Sequence, residues 1–256
     1  MISRAIKMFF CRGLVWLIVF APIGAVSAAE TLTVAVSSNF AEPLRKLSEG
    51  FSSETGHTLR IVAGATGAHY ARIVQGAPYD LFLSADKVTP ARLLDEGLAV
   101  PDSGVTYATG VLVVWAPGKV IAGGAAEVLD PSGYRVLAIA NPKLAPYGMA
   151  AKETLRHVGY WTALEPEVVR AENVGQTYLF VASGHAERGF VALSQAIQKD
   201  LPRSEYWRVP AELHSPLHQD AVLLQESLAA REFLAFIMRK DIQAQIRSMG
   251  YADSGT

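Results

Sequence analysis

Short apolar runs alternate with segments of helical periodicity through most of the chain. Apolar runs predict buried strands at 32–36, 59–63, 80–84, 111–115, 136–140 and 189–193. Apolar residues at helical spacing, several closed by a glycine, predict helices at 43–51, 67–75, 90–96, 148–158, 174–183 and 226–249. The last helix is expected to be broken or bent, and Thr89 with Pro90 is expected to open the third as cap and first-turn proline. The alternation predicts an α/β fold of parallel strands with helices on both faces.

No linker rich in Pro, Gly or Ser divides the chain, so a boundary between two consecutive domains is not visible. Two places, 106–111 and 210–218, are suited to connections between lobes. Two such places without a single linker indicate a domain made of two separate pieces. We therefore expect one lobe from 30–108 plus 218–256, and a second lobe from 109–217.

The first 29 residues have the pattern of a secretory signal peptide. Arg4, Lys7 and Arg12 form a basic start, an apolar run covers 13–21, and small residues at 25–29 provide a cleavage site. The apolar core is too short for a permanent transmembrane helix, and an uncleaved anchor is the alternative. The one cysteine, Cys11, lies in this segment, so the exported part has no disulfide or thiolate chemistry. We expect the protein in the periplasm.

Without that segment the chain is mildly acidic. Removing the three basic residues of the signal leaves 20 Lys and Arg residues against 24 Asp and Glu residues. No basic stripe is present, which excludes nucleic acid as an expected partner. An anion site in such a chain would depend on local dipoles rather than on overall charge.

Four junctions between a strand and a helix carry small, hydroxyl or amide residues: 37–39, 64–68, 146–148 and 173–175. A helix N-terminus presents unpaired N–H groups and the positive end of the helix dipole, and glycine allows an anion to approach the backbone. Taken singly, each junction is an ordinary helix cap. Four such ends directed at one point would bind an oxyanion without Lys or Arg.

These junctions lie in stretches that resemble the periplasmic molybdate-binding proteins of ABC importers. The matching stretches are 32–40, 76–86, 141–155, 171–174 and 249–251. The most specific of them is Gly-Ala-Pro-Tyr-Asp-Leu-Phe-Leu-Ser-Ala-Asp at 76–86. The resemblance covers nearly the whole chain after the predicted signal, in a single order.

The resemblance implies a type II periplasmic-binding-protein fold, in which two α/β lobes close on the anion in a cleft between them. It also implies a monomer without a cofactor, which captures molybdate or tungstate and delivers it to the permease of an ABC transporter. Carried over to this chain, the family's ligand-binding residues are Ser38, Asn39, Thr66, the amide of Gly67, Tyr147 and the backbone N–H of Val174.

Two positions depart from the family's pattern. Asn39 stands where many relatives have serine, and Ala192 lies close to where some relatives have a binding tyrosine. We expect the hydroxyl of Tyr147 to replace that missing donor. Neutral donors hold a fully deprotonated dianion and offer no acceptor for the proton of hydrogen phosphate. A larger cavity would then favour molybdate or tungstate over sulfate, because their metal–oxygen bonds are longer.

Other functions are also compatible with the residues. Sulfate, phosphate or a small organic acid would suit the same fold, although a carboxylate ligand usually requires an arginine clamp and the four junctions contain none. A secreted metal-dependent hydrolase would use His185, His214 or His218. Pro216 interrupts the helical spacing of the last two, so we expect no direct metal ligand and no catalytic group. For Asp86, capping or lobe packing is the expected role.

Overall fold

The structure is a computed structural model that describes residues 28–253. Residues 1–27 of the predicted signal, which include Cys11, lie outside the described residues. The strands within the described range are Thr31–Ser37 (β1), Thr58–Gly64 (β2), Leu81–Leu83 (β3), Val105–Gly110 (β4), Leu112–Trp115 (β5), Leu137–Ala140 (β6), Val169–Ala171 (β7), Arg188–Ala192 (β8), Tyr206–Arg208 (β9) and Leu217–Leu223 (β10).

The α-helices of the same range connect these strands. They are Ala41–Thr55 (α1), Thr66–Val74 (α2), Val88–Asp95 (α3), Ala125–Val128 (α4), Pro146–His157 (α5), Trp161–Leu164 (α6), Val174–Ala182 (α7), Leu193–Gln198 (α8), Leu228–Ile237 (α9) and Lys240–Ser248 (α10). No helix among the described residues is both long and apolar enough to cross a membrane.

The strands form two five-stranded sheets. The first has the order β2-β1-β3-β10-β4 and the second β7-β6-β8-β5-β9. The chain leaves the first sheet after β4 and returns to it at β10, so the second sheet is inserted between these two strands. Because β4 and β10 pair with each other and carry the chain between the sheets, they are called the hinge strands below. The predicted bounds of the two lobes remain a prediction, although the change of sheet falls near both of the expected connections.

The α/β class is confirmed, but the expectation of parallel strands holds for only part of each sheet. β1 pairs in parallel with β2 and β3, and β6 pairs in parallel with β7 and β8. β10 runs antiparallel to β3 and β4, and β5 runs antiparallel to β8 and β9. The antiparallel strands are the first ones after each crossing between the sheets, where no crossover helix imposes a parallel return.

Each sheet has its own buried core. In the first, α1 and α9 place Leu44, Phe51 and Phe233 against the sheet, and none of these side chains is exposed. In the second, α5 covers β6 and β8 with Ala151 and Leu155. Each lobe is therefore packed around its own sheet, and the ends of the strands that face the other lobe can form a cleft.

Two predicted helices differ in detail from the structure. α3 begins at Val88, and its first turn is capped by the carboxylate of Asp86, which accepts the N–H of Thr89 at 2.8 Å. Thr89 is therefore not the cap, because it is already the second residue of α3 and its own N–H is the one that Asp86 accepts. The predicted break in 226–249 is confirmed, since α9 ends at Ile237 and α10 starts at Lys240.

Candidate functional site

The four predicted junctions meet at one small cavity between the two sheets. Its walls come from the ends of β1 and β2, the starts of α2, α5 and α7, and the loop after β3. The lining residues are Ser37, Ser38, Asn39, Gly64, Ala65, Thr66, Ala85, Ala145, Pro146, Tyr147, Asn173 and Val174. None of them carries a charged side chain, and the cavity volume is about 10 Å³.

Three helices direct their N-termini to this cavity. Thr66 and Val174 are the first residues of α2 and α7, and Tyr147 follows Pro146 in the first turn of α5. The N–H groups of Thr66, Tyr147 and Val174 donate no hydrogen bond within the described part of the chain. Free amides together with three converging helix dipoles produce a positive potential without any cationic side chain.

Thr66 also presents its hydroxyl to the cavity, in a chain of polar contacts. Its Oγ1 lies 2.6 Å from the Oγ of Ser37 and accepts the N–H of Ala85 at 3.2 Å. Both hydroxyl residues are almost fully buried. When Ser37 donates to Thr66, the proton of Thr66 is free for a ligand oxygen.

Ser38 and Asn39 occupy the loop between β1 and α1. Ser38 Oγ accepts the N–H of Gly175 at 3.1 Å, and the N–H of Ser38 donates to the Gly64 carbonyl at 2.9 Å. The side-chain Nδ2 of Asn39 donates to Gln219 Oε1 at 2.9 Å and to the Tyr251 hydroxyl at 3.2 Å. Asn39 Oδ1 is buried and has no hydrogen-bond partner within the described residues.

The amide of Gly67, which the sequence predicted as a ligand donor, has another partner in the structure. Its N–H donates to the carbonyl of Leu144 at 2.8 Å, across the cleft, and Gly67 does not line the cavity. A Cβ at this position would lie 3.2 Å from Leu144 Cα and 3.3 Å from its carbonyl oxygen. In the structure Gly67 therefore allows the two lobes to approach each other.

The side chain of Tyr147 also points away from its predicted role. Its hydroxyl accepts a hydrogen bond from Gln219 Nε2 at 3.4 Å and lies where a Cβ of Gly110 would be only 2.3 Å away. The residue therefore brings its backbone N–H to the cavity and its hydroxyl to the hinge strands. Burial raises the pKa of Tyr147, and also that of Tyr107 and Tyr251, so these phenols stay protonated around neutral pH.

Ser194 and Gln219 are buried polar residues of the site that were not predicted from the sequence, whereas Ser37 belongs to the predicted junction 37–39. Ser194, at the start of α8, donates its hydroxyl proton to the Asn39 carbonyl at 3.0 Å. In β10 the pattern Leu-His-Gln-Asp-Ala places Leu217, Gln219 and Ala221 on the buried side. A single glutamine among apolar residues on the inner face of a strand is the signal that could have identified Gln219.

Within residues 28–253, four hydrogen bonds join the first sheet and its helices to the second. They join Gly67 to Leu144, Gly175 to Ser38, Ser194 to Asn39, and Gln219 to Tyr147. Grooves of about 330 and 570 Å³ flank the cavity on either side, the first sharing Thr66 with it and the second Ser38 and Asn39. The cleft is therefore closed over the cavity, and ligand entry requires the lobes to separate.

His69, in the first turn of α2, packs against the end of β1 next to the cavity residues. Its side chain is fully buried, and Nε2 lies 3.1 Å from the carbonyl of Val36, next to Ser37. Gly64 leaves the space that the ring fills, because a Cβ there would be 2.8 Å from Nε2. Burial lowers the pKa of His69 to about 4, so the ring is neutral and donates through Nε2.

This buried ring predicts a loss of stability in mild acid. Below pH 6.5 the unfolded chain binds a proton at His69, but the folded protein does not until about pH 4. The free energy of unfolding should therefore fall across this window by about 3 kcal/mol relative to His69→Gln, which has no titrating ring. Urea unfolding of both proteins at pH 7, 5.5 and 4.5 measures the difference. A constant difference would show that His69 titrates alike in both states.

The other candidates from the sequence have structural roles. Asp86 caps α3, His214 contacts the Ser215 carbonyl, and Nδ1 of His218 lies 3.1 Å from Thr109 Oγ1. His185 is bonded to Ser183 on the surface. Across residues 28–253, no group of three or more His, Cys, Asp or Glu side chains is arranged to hold a metal ion.

Comparison with known proteins agrees with this geometry. A molybdate-binding protein from Rhodobacter capsulatus is 42% identical over 230 residues, which are 88% of this chain and 89% of that protein. The structure of the periplasmic molybdate-binding protein of Azotobacter vinelandii superposes with a TM-score of 0.81 at 38% identity, covering 87% of this chain and 99% of that one. A sulfate-binding protein of Mycobacterium tuberculosis has the same fold (TM-score 0.70, 15% identity, covering 87% of this chain and 86% of that one), so the fold alone does not select the ligand.

Two α/β sheets, joined by hinge strands and closed over a polar cavity, define a two-lobed binding protein of the periplasmic type. The model of the bacterial extracellular solute-binding proteins matches residues 32–252. This chain belongs to that family. Its members bind solutes, and the chain is accordingly a binding protein rather than an enzyme.

Proposed function

We propose that this protein captures molybdate or tungstate in the periplasm and delivers it to the permease of an ABC importer. The observation that carries the proposal is the convergence of three helix N-termini on a cavity lined without any charged side chain. Relatives named as molybdate-binding proteins, which cover nearly the whole chain, support the choice of ligand.

The proposed donors are those that the cavity brings together. They are the backbone N–H groups of Thr66, Tyr147 and Val174, the hydroxyl of Thr66, and the loop residues Ser38 and Asn39. Gly67 contributes to closure rather than to the ligand, since its N–H is donated to Leu144. The first sheet and its helices supply four members of this set, and α5 and α7 supply the N–H groups of Tyr147 and Val174, so a bound anion would hold both lobes together.

Neutral donors also provide a basis for selectivity. Each N–H or O–H group can satisfy one lone pair of a fully deprotonated dianion, and buried hydrogen bonds to a charged oxygen are the strong ones. Hydrogen phosphate brings a proton of its own, which would remain unpaired at a cost of about 1–3 kcal/mol wherever it faces one of these donors; the unpaired side-chain acceptor among the described lining residues is Asn39 Oδ1. Molybdate and tungstate have no such proton at neutral pH.

Delivery follows from closure. The hinge strands allow the lobes to separate for ligand entry, and the closed form gives the permease a shape to recognise. The basic, apolar and small-residue pattern of 1–29 supports export to the periplasm as the place where this happens.

Isothermal titration with molybdate, tungstate, sulfate and phosphate tests the proposed function. We expect molybdate and tungstate to bind with dissociation constants below roughly 10 μM, which is about −7 kcal/mol, and phosphate to bind far more weakly. Binding of sulfate alone would assign the site to a smaller tetrahedral anion. Absence of binding by all four anions would contradict oxyanion capture.

A further inference from the structure

Gln219 lies where the hinge strands meet Asn39 of the first lobe and Tyr147 of the second. It lies on β10, opposite Ala108 of β4, and its side chain is fully buried. A β-bulge follows directly, because the register with β4 shifts between Gln219 and Asp220. Buried glutamine side chains in proteins are held by hydrogen bonds, and the two ends of this one contact different lobes.

The carbonyl end of Gln219 belongs to the first lobe. Its Oε1 accepts Asn39 Nδ2 at 2.9 Å and lies 3.1 Å from the Tyr107 hydroxyl, whose one proton is also directed to the Ser84 carbonyl at 2.8 Å. Because Asn39 Nδ2 is a donor, the Gln219 amide must turn its oxygen towards it. Its NH₂ end must then face Tyr147 of the second lobe, whose hydroxyl accepts Nε2 at 3.4 Å.

The same bonds determine how Tyr147 and Asn39 are oriented. Since the Tyr147 oxygen accepts from Gln219, its proton is directed elsewhere. Asn39 presents Nδ2 to Gln219, and its Oδ1 is a buried acceptor without a hydrogen-bond partner among the described residues. Gln219 thus links Asn39, in the loop after β1, to Tyr147, in the first turn of α5, and this link requires α5 to be close to β1 and β10.

Space for the contact between Gln219 and Tyr147 is provided by Gly110, the last residue of β4. A Cβ there would be 2.3 Å from the Tyr147 hydroxyl and 2.6 Å from Gln219 Nε2. Because Gly110 has no side chain, β4 leaves room for Gln219 of the first lobe and Tyr147 of the second to meet.

We propose that Gln219 is a positioning residue that couples closure of the lobes to the orientation of Asn39 and Tyr147. It does not line the cavity, and it acts on the ligand through these two neighbours. Its effect on affinity rests on the proposed oxyanion-binding function, whereas its effect on closure does not.

Amide exchange provides a direct measurement of closure. The N–H groups of Gly67 and Gly175 are donated across the cleft, to Leu144 and Ser38, so their exchange rates by NMR report separation of the lobes. In Gln219→Met, which keeps the length of the side chain and removes both hydrogen-bonding ends, we expect both amides to exchange roughly tenfold faster without ligand. The molybdate dissociation constant should rise by a similar factor.

Ser103→Ala is the matched control. Ser103 is buried beside β10, where its hydroxyl accepts the Leu223 N–H and donates to Val100 within the first lobe. It should lower the thermal stability as a lost buried hydrogen bond does, without changing exchange at Gly67 and Gly175. If both variants accelerate these amides equally, Gln219 contributes only stability and the proposal is wrong.

A double-mutant cycle with Tyr147→Phe identifies the path of the coupling. If Gln219 acts through the Tyr147 hydroxyl, the effect of Gln219→Met on exchange will be smaller in the Tyr147→Phe background than in the native one. Additive effects would overturn the coupling. Exchange without ligand decides this even if titration shows no molybdate binding, a result that would contradict the proposed function alone.

Discussion

Val174→Pro should weaken molybdate binding on the order of 100-fold while the protein stays folded. Val174 is the first residue of α7, where its N–H has no partner among the described residues and faces the cavity. Proline removes this single donor. A hydrogen bond to a charged oxygen contributes about 1.5–3 kcal/mol, and its loss leaves one ligand oxygen unpaired.

The backbone of this position accepts proline. The first position of a helix favours it because the N–H is unused by the helix and the fixed φ is suited to helical geometry. Asn173, which precedes it, has φ −147° and ψ 171°, the extended conformation that a residue before proline adopts. Asn173 also keeps its cap, since Oδ1 accepts the Gln176 N–H at 3.0 Å.

Val174→Ala is the control for this substitution. Alanine shortens the side chain but keeps the N–H, so affinity should change far less than in the proline variant. Titration calorimetry compares the two, and thermal unfolding checks that both are folded. Equal affinities would show that the Val174 amide is not a ligand donor, and that the α7 dipole alone contributes at this end of the cavity.

The sequence predicted the strands that are continuous apolar runs, such as β1, β5 and β6, and it missed β4 and β10, in which polar and apolar residues are mixed. β4 and β10 carry polar residues such as Thr106, Thr109 and Asp220 among the apolar ones, and they pair with each other more than 100 residues apart. Their strand character comes from this pairing, which no local window contains.

The site shows the same division between local and long-range information. A strand followed by small and hydroxyl residues at a helix start is a local signal, and it located Thr66, Tyr147 and Val174. Which amide faces the cavity and which joins the lobes depends on distances between segments that are remote in sequence. Gly67 and Leu144 are an example, as is the Tyr147 hydroxyl, which contacts Gln219 and not the position near Ala192 that it was expected to replace.

Gly67→Val should also reduce molybdate affinity on the order of 100-fold, by a different route. Its backbone is helical, so the conformation tolerates a side chain. A Cβ would already lie 3.2 Å from Leu144 Cα, and the two methyl groups of valine would extend further into the facing lobe. Overpacking of this kind costs about 1–3 kcal/mol, and here only the closed form would be destabilised.

The control for this variant is Ala68→Val, which places the same side chain on the next residue of α2. Small-angle X-ray scattering distinguishes the two, because molybdate should reduce the radius of gyration of the control and of the native protein but not of Gly67→Val. Since valine keeps the Gly67 N–H, a ligand contact by this amide would survive the substitution, whereas a lobe contact would not. If Gly67→Val binds molybdate with native affinity, the lobe contact is not required for binding, and the Gly67 amide would again be a candidate ligand donor, as the sequence predicted.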